Sequence, residues 1–210
     1  MLINFLKLKN KYKMDVRGVV HIGAHHGEEI PTYNEYSHGK IICFEPLKSN
    51  LEVLKYYESD KVKVFPYALG DKEYVAVMNI SSNELASSSL LQPAKHLEIY
   101  PNIKFELKEV VQVKKLNSFK DEISGCNYMS IDVQGYEYEV FCGASDVLSD
   151  FDYIYTEVNR DETYSGNKMI EDIDAKLLSH GFIRVETKWD GIIWGDAFYI
   201  KKDILKNDIL

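Results

Sequence analysis

Three acidic residues fall at the ends of β-rich runs: Glu45 after residues 40–44, Asp132 near the end of 128–133, and Glu157 near the end of 153–158. In an open α/β sheet the carboxyl ends of the strands border one crevice, and ligands bind there. The three carboxylates are therefore expected to converge on one edge of one sheet. A fourth signal accompanies them, since Val19 to Glu28 reads as a buried strand, a turn bounded by Gly23 and Gly27, and the start of a helix. Glycine at such a turn lets the backbone approach a ligand closely. Glu45 follows Gly23 at roughly the twenty-residue offset at which such sheets present a carboxylate to ribose hydroxyls. Asp132 is the first candidate for a general base and Glu157 the second, with a divalent cation held between them as the alternative use of the pair.

The elements needed to position these residues are legible as an alternation. Strands at 18–22, 40–44 and 62–67 are separated by helical patterns at 28–36 and after Pro46, where Leu47, Leu51, Leu54 and Tyr57 share one face. After Gly70-Asp71 the pattern changes to two strand-like runs, 74–80 and 110–114, flanking a polar segment with Ser87, Ser88 and Ser89. The alternation then resumes with strand 128–133, helix 136–148, strand 153–158, helix 170–179 and strands 182–187 and 197–201. Gly181 is placed to end the last helix as its C′ residue. This predicts a doubly wound, mostly parallel seven-stranded sheet with an antiparallel insertion between the third and fourth strands. Residues 1–16 form an extension packing on the core, 17–203 the domain, and 204–210 a tail.

A composition of 45% hydrophobic and 28% charged residues is that of an ordinary globular domain, and no apolar run is long enough to span a bilayer. The formal charge of −8 disfavours a nucleic-acid partner, whose phosphates demand clustered Lys and Arg. Lys108, Lys114, Lys115 and Lys120 alternate with apolar residues as an exposed strand face does. Three cysteines, Cys43, Cys126 and Cys142, lack metal-type or disulfide spacing and fit a reducing, cytoplasmic setting. The opening segment has no continuous hydrophobic region of the signal-peptide kind. Leu2, Phe5, Leu6 and Leu8 are expected to cover the core edge, an interfacial helix being the alternative. The sequence carries no signal for oligomeric state.

The spacing of Gly23 and Gly27 around His25 departs from the dinucleotide fingerprint G-x-G-x-x-G. It fits the acidic-x-G-x-G-x-G loop of methyltransferases with two of the three glycines kept. Beyond the loop, the chain resembles the FkbM-type methyltransferases from about Val19 to about Tyr199. The likeness rests on the run from His21 to Glu29, on Cys43-Phe44-Glu45-Pro46, Tyr67 to Asp71, Ser87 to Leu91, Ile131 to Glu137, and Phe141 to Ala144. Against the commoner family pattern, His21 replaces an aspartate, His25 an asparagine and Gln134 a glutamate.

The resemblance implies a class I, Rossmann-like fold, S-adenosylmethionine (SAM) as methyl donor, and transfer to a hydroxyl, with sugars and polyketides as acceptor types. A small-molecule or glycan acceptor, such as a deoxyhexose, is the reading that follows. It implies that Gly23, Ala24, His25 and Gly27 grip the methionine portion, Glu45 and Pro46 the ribose, and Ala68 and Leu69 the adenine side. Ser88, Ser89 and Asp132 complete the donor site, while His96, Arg160, Tyr164 and Trp194 lie on segments where an acceptor could stack or bond. His21 reads first as an internally satisfied histidine at a strand end. Three other readings stay open: an N-methyltransferase, disfavoured because Asp132-Val133-Gln134-Gly135 is not Asn/Asp-Pro-Pro-aromatic; a non-catalytic Rossmann-like binding domain; and a nicotinamide oxidoreductase, disfavoured by the glycine spacing.

Overall fold

The computed structural model describes residues 2–191 and 193–207. Along the chain these form α1 (Phe5–Lys11), β1 (Val19–Ile22), α2 (Ile30–Tyr36), β2 (Ile41–Phe44), α3 (Lys48–Leu54), β3 (Val62–Phe65), β4 (Ala68–Leu69) and β5 (Tyr74–Ile80). There follow α4 (Lys95–Ile99), β6 (Leu107–Lys114), α5 (Lys120–Ile123), β7 (Tyr128–Ile131), α6 (Glu137–Gly143), β8 (Tyr153–Asn159), α7 (Ile170–Ser179), β9 (Phe182–Asp190), β10 (Trp194–Lys201) and α8 (Lys202–Asn207). Seven strands make one sheet in the order β3-β2-β1-β7-β8-β10-β9, and β4, β6 and β5 make a second, three-stranded sheet. In the large sheet β3, β2, β1, β7 and β8 run parallel, and β10 runs antiparallel to both its neighbours.

Every residue of β1, β2, β7 and β8 is buried, as a sheet covered on both faces requires. Because successive side chains of a strand point to opposite faces, the two faces feed two separate apolar clusters. Val20, Ile22, Ile42, Phe44, Met129, Ile131 and Ile154 pack with Val140 and Phe141 of α6 and Ile173 and Leu177 of α7. Val19, Ile41, Cys43, Tyr128, Tyr153 and Phe198 pack on the other side with Phe5 and Leu8 of α1, Tyr33 of α2 and Leu54 of α3. The chain order changes direction between β1 and β7, which is the switch point where a crevice opens at the strands' carboxyl ends.

Several boundaries differ from the sequence reading for identifiable reasons. The third strand ends at Phe65 because Pro66 cannot donate to the ladder, and the chain leaves the large sheet there so that Ala68 and Leu69 pair with Val113 and Lys114. The helix expected over 136–148 stops at Gly143, where a Cβ would lie 1.9 Å from the Gly70 carbonyl oxygen. Beyond it the backbone turns to bury Val147 and Leu148. The first crossover helix begins at Ile30, later than Glu28, with Pro31 in its first turn. Gly181 takes φ +87° just past the C-cap of α7.

The N-terminal segment is built into the core. The Phe5 ring meets Tyr33 and Tyr128 edge-on, each at 5.2 Å between centroids, and the Leu2 amide donates to the Asp196 carboxylate of β10. Of the tail expected at 204–210, α8 accounts for the residues to 207, and 208–210 lie outside the described residues. Among the described residues no helix is long and apolar enough to cross a membrane. Phe5→Ala is expected to cost about 3–5 kcal/mol of unfolding free energy, whereas Tyr56→Ala, at a site 90% exposed, should stay within about 0.5 kcal/mol. Urea denaturation of the two variants checks this, and equal midpoints would show that α1 is not part of the folding unit.

Candidate active site

Strand register gathers the acids. One position beyond the ladder pairs Ile22↔Phe44, Ile22↔Ile131 and Ile131↔Thr156 stand Glu45, Gly23, Asp132 and Glu157, while Asp196 of β10 pairs directly with Glu157. Four carboxyl groups therefore occupy one row across five adjoining strands, at strand spacings of roughly 4.8 Å. Glycine interrupts that row. Gly23 adopts φ +77°, and a Cβ there would sit 1.8 Å from the Asp132 carbonyl oxygen, so no other residue fits without moving β7 away from β1.

On the β2 side of the gap lies a cavity of about 400 Å³. Its polar end is formed by His21, Gly23, His25, Glu29, Ser130 and Asp132, and its apolar end by Phe44, Pro46, Leu47, Tyr67, Leu69, Met78 and Leu90. Between them stands Glu45, which is 4% exposed and accepts bonds from the backbone N–H of His25 (2.9 Å), the N–H of Leu47 (3.0 Å) and Nδ2 of Asn50 (3.2 Å). Burial pushes its carboxyl up to about 7 against the opposing effect of these donors. Of the about four lone-pair directions on a carboxylate, one on Oε2 remains for a further donor. Two buried atoms lining the cavity have no partner, His21 Nδ1 and Asn50 Oδ1. Unsatisfied buried polar atoms are costly, and their placement here fits a cavity completed by a polar ligand.

The insertion roofs this cavity with Leu85, Ala86, Ser88 and Leu90. His25, itself at φ +49°, ties the roof down: Nδ1 lies 2.9 Å from Glu28 Oε1 and Nε2 lies 2.7 Å from the Glu84 carbonyl. Both partners are acceptors, which favours the positively charged, doubly protonated ring. Burial opposes that charge, but the Glu84 carbonyl and the Glu28 carboxylate outweigh it and raise the histidine above its ordinary value.

A second cavity, of about 310 Å³, adjoins the first and shares Ala86, Asp132 and Gln134 with it. Asn83, Ser87, His96, Tyr100, Ile103, Glu157, Thr163, Asp190, Trp194 and Asp196 complete its lining. At the junction Nε2 of Gln134 donates to Asp132 Oδ1 at 2.7 Å and to Glu157 Oε2 at 2.8 Å. Burial, and then the charge of Asp132 and its neighbours, holds the Glu157 carboxyl well above the usual range. The protonated form of Glu157 is thereby favoured, and the Gln134 amide bridges the two carboxyl groups. The metal alternative needs the space between these carboxylates, which the Gln134 amide nitrogen fills; a cation would have to displace it.

A family profile described as Methyltransferase FkbM domain matches residues 21–184. The chain belongs to the FkbM methyltransferase family. A relative, the 2-O-methyltransferase NoeI of Sinorhizobium fredii, is 24% identical over 164 residues, covering 70% of this chain; the chain spans 65% of that relative's length. Among solved structures, a Streptococcus pneumoniae protein provisionally assigned as a tRNA (m1A22) methyltransferase superposes with a TM-score of 0.55 at 11% identity, over 96% of this chain and 71% of its own. The SAM-bound magnesium protoporphyrin IX methyltransferase of Synechocystis gives 0.50 at 10% identity, over 94% and 74%. The fold is thus that of class I methyltransferases.

Within this FkbM domain the expected donor residues separate into two groups. Gly23, His25, Glu45, Pro46, Ala68, Leu69, Ser88 and Asp132 line the larger cavity. Ala24, Gly27 and Ser89 do not: Ala24 is fully buried in the α1–α3 cluster, Gly27 turns at φ +81° against Ile30, Leu54 and Tyr57, and the Ser89 hydroxyl donates to the Gln134 carbonyl at 2.7 Å. Of the acceptor candidates, His96 and Trp194 line the second cavity. Arg160 instead lies over the Trp189 indole at 3.6 Å, and Tyr164 is wholly buried, its hydroxyl within 2.8 Å of Gln134 Oε1 and 2.9 Å of the Ser87 carbonyl. His21, read as satisfied, keeps a free Nδ1.

Sequence reasoning passed over Gln134, Glu137, Asp190 and Asp196 as site residues. Glu137 accepts from the Val133 and Gly135 amides and so holds the left-handed turn at Gln134 (φ +56°) and Gly135 (φ +95°). An acid opening the helix after a strand-end Asp was the available signal for it. Asp196 had none, since its place depends on the register of an antiparallel strand far away in sequence.

Glu45 gives a pH test. Hydroxyl donors of a bound nucleoside favour its ionised form, so donor binding releases a proton while the free site is protonated. SAM affinity should rise with pH up to about 7 and level off above it, and Glu45→Gln should flatten that dependence. Calorimetric titration across this range checks it; an unchanged slope in the variant would remove Glu45 from the site.

Proposed function

We propose that this protein transfers the SAM methyl group to a hydroxyl of a sugar or glycan, with Asp132 as the base. One observation carries the reading: two adjoining cavities share Asp132 and Gln134, so the same carboxylate borders both a nucleoside-sized space and a polar, aromatic-lined one. SAM fits the larger cavity, with Gly23, His21 and Asp132 at its methionine end, Glu45 at its ribose, and Leu69, Tyr67 and Met78 around its adenine. When bound it supplies a methyl group activated by a sulfonium, and the protein's task is to align and deprotonate an attacking oxygen.

An alcohol is a weak nucleophile until its proton is taken, and a base within hydrogen-bond reach supplies that. Asp132 is suited because the Gln134 amide, itself anchored on Glu157, fixes Oδ1 and holds the group in one orientation. Proximity contributes as well, since an acceptor seated against Asp132 meets the donor across a shared wall. The second cavity offers carboxyl, amide and hydroxyl groups beside Trp194, Tyr100 and His96, the mixture of planar polar groups and aromatic faces that suits a polyol ring. The name 2-O-methyltransferase carried by the NoeI relative is consistent with oxygen as the acceptor atom.

Asp132→Asn should lower kcat by about 10²–10⁴ while SAM affinity changes little, and Glu157→Gln, which keeps a neutral hydrogen-bonding group, should cost at least about tenfold less than that. Labelled-methyl transfer to a panel of mono- and oligosaccharides, analysed by mass spectrometry, is the assay; full turnover by the Asn variant removes Asp132 as base. Because Gln134 fills the gap between the carboxylates, the same assay should be insensitive to EDTA, and restoration of lost activity by magnesium would show the amide yielding to a cation.

A further inference from the structure

The second cavity is one-sided in charge. Four carboxyl groups border it, those of Asp132, Glu157, Asp190 and Asp196, and among its described lining residues there is no Lys or Arg. His96 is the one basic side chain present, and burial lowers its affinity for a proton. The cations near the lining in sequence are engaged elsewhere: Arg160 stacks on Trp189, Lys95 pairs with Asp161 at the surface, Lys104 donates to the Pro101 carbonyl and Lys188 to the Leu2 carbonyl. Asp190, at the end of β9, is exposed, whereas Glu157 and Asp196 are 3% exposed each. Carboxyl groups thus run from Asp132 at the junction with the larger cavity to Asp190 at the rim, with no cation among the described lining residues to offset whatever charge they carry. The cavity is also smaller than its neighbour, about 310 against about 400 Å³, and the neighbour is sized for one nucleoside.

Phosphoryl groups are bound in proteins by guanidinium, ammonium or convergent backbone N–H groups. A cleft walled by one sign of charge repels ligands of the same sign with a field of several kT. Resting on the sugar-acceptor reading, we infer that the acceptor enters without phosphate, as a glycosidically linked, uncharged sugar residue, and that the enzyme discriminates against sugar phosphates and nucleoside-diphosphate sugars. The reaction class that supplies its substrate is then a glycosyl transfer that has already displaced the nucleotide, and methylation follows it.

The test compares kcat/KM for methyl glycosides of hexoses and 6-deoxyhexoses with the same sugars as 1-phosphates and nucleoside diphosphates, using the full chain and labelled SAM. The glycosides should be preferred by about tenfold or more, and the preference should shrink between about 20 mM and about 500 mM salt as screening removes the repulsion. Asp190→Asn, an exposed substitution, should narrow it by about two- to threefold at low salt. A nucleoside-diphosphate sugar methylated as well as its glycoside overturns this inference and leaves the sugar reading standing. SAM binding with no labelling of any sugar, free or phosphorylated, overturns the sugar reading and this inference with it.

Discussion

Everything in this site follows from keeping two carboxyl groups side by side, away from water, at the ends of neighbouring strands. Asp132 and Glu157 stand at consecutive places in one row because β7 and β8 run parallel in a register that pairs Ile131 with Thr156. Two ionised carboxylates so placed would repel strongly in a medium of low dielectric constant. The protein relieves this by favouring the protonated form of Glu157 and by inserting the Gln134 amide, whose two N–H bonds go one to each partner.

That arrangement obliges a chain of supports. Gln134 reaches both acids only from a left-handed backbone, and such a conformation is costly for a residue with a side chain. Glu137 holds the turn from below through the Val133 and Gly135 amides, and Ser89 holds it from above through the Gln134 carbonyl. Tyr164 supplies the remaining bond at Gln134 Oε1. Ser89 belongs to the insertion and Tyr164 to the loop after β8, so closing the roof over the larger cavity and fixing the base are accomplished by overlapping contacts. The insertion therefore helps to hold the turn that anchors Asp132 as well as covering the cavity.

The sequence made most of the sheet legible because its strands are short, bounded by Gly and Pro, and separated by helices with clear apolar faces. Glu45 and Asp132 could be placed for the same reason: a residue just past a parallel strand has few places to go. What escaped was whatever depends on pairing between distant segments. Asp196 lies on β10, whose antiparallel register with β8 no local pattern encodes. Arg160 and Tyr164 look alike in sequence, polar-tipped and on a loop, yet one lies on an indole and the other is sealed beneath Gln134. Ala24 and Gly27 belong to the right loop but face the helices, Ala24 within the apolar cluster of α1–α3 and Gly27 against Ile30, Leu54 and Tyr57.

The substitutions that set this chain apart from the commoner FkbM pattern fall at the points where charge is managed. A glutamate at position 134 would place a third carboxylate against Asp132 and Glu157, and the cluster would then need a cation or further protons; the amide removes that need. A histidine at position 25, its charged form favoured between Glu28 and the Glu84 carbonyl, ties down the roof of the larger cavity more strongly than a neutral asparagine, because charge-assisted bonds are the stronger kind. His21, in contrast, stays neutral under its burial and keeps an unpartnered nitrogen at the cavity wall. One histidine thus closes the donor space while the other leaves a bonding position open within it, and the difference comes from solvent access and neighbouring acceptors, the residue type being the same.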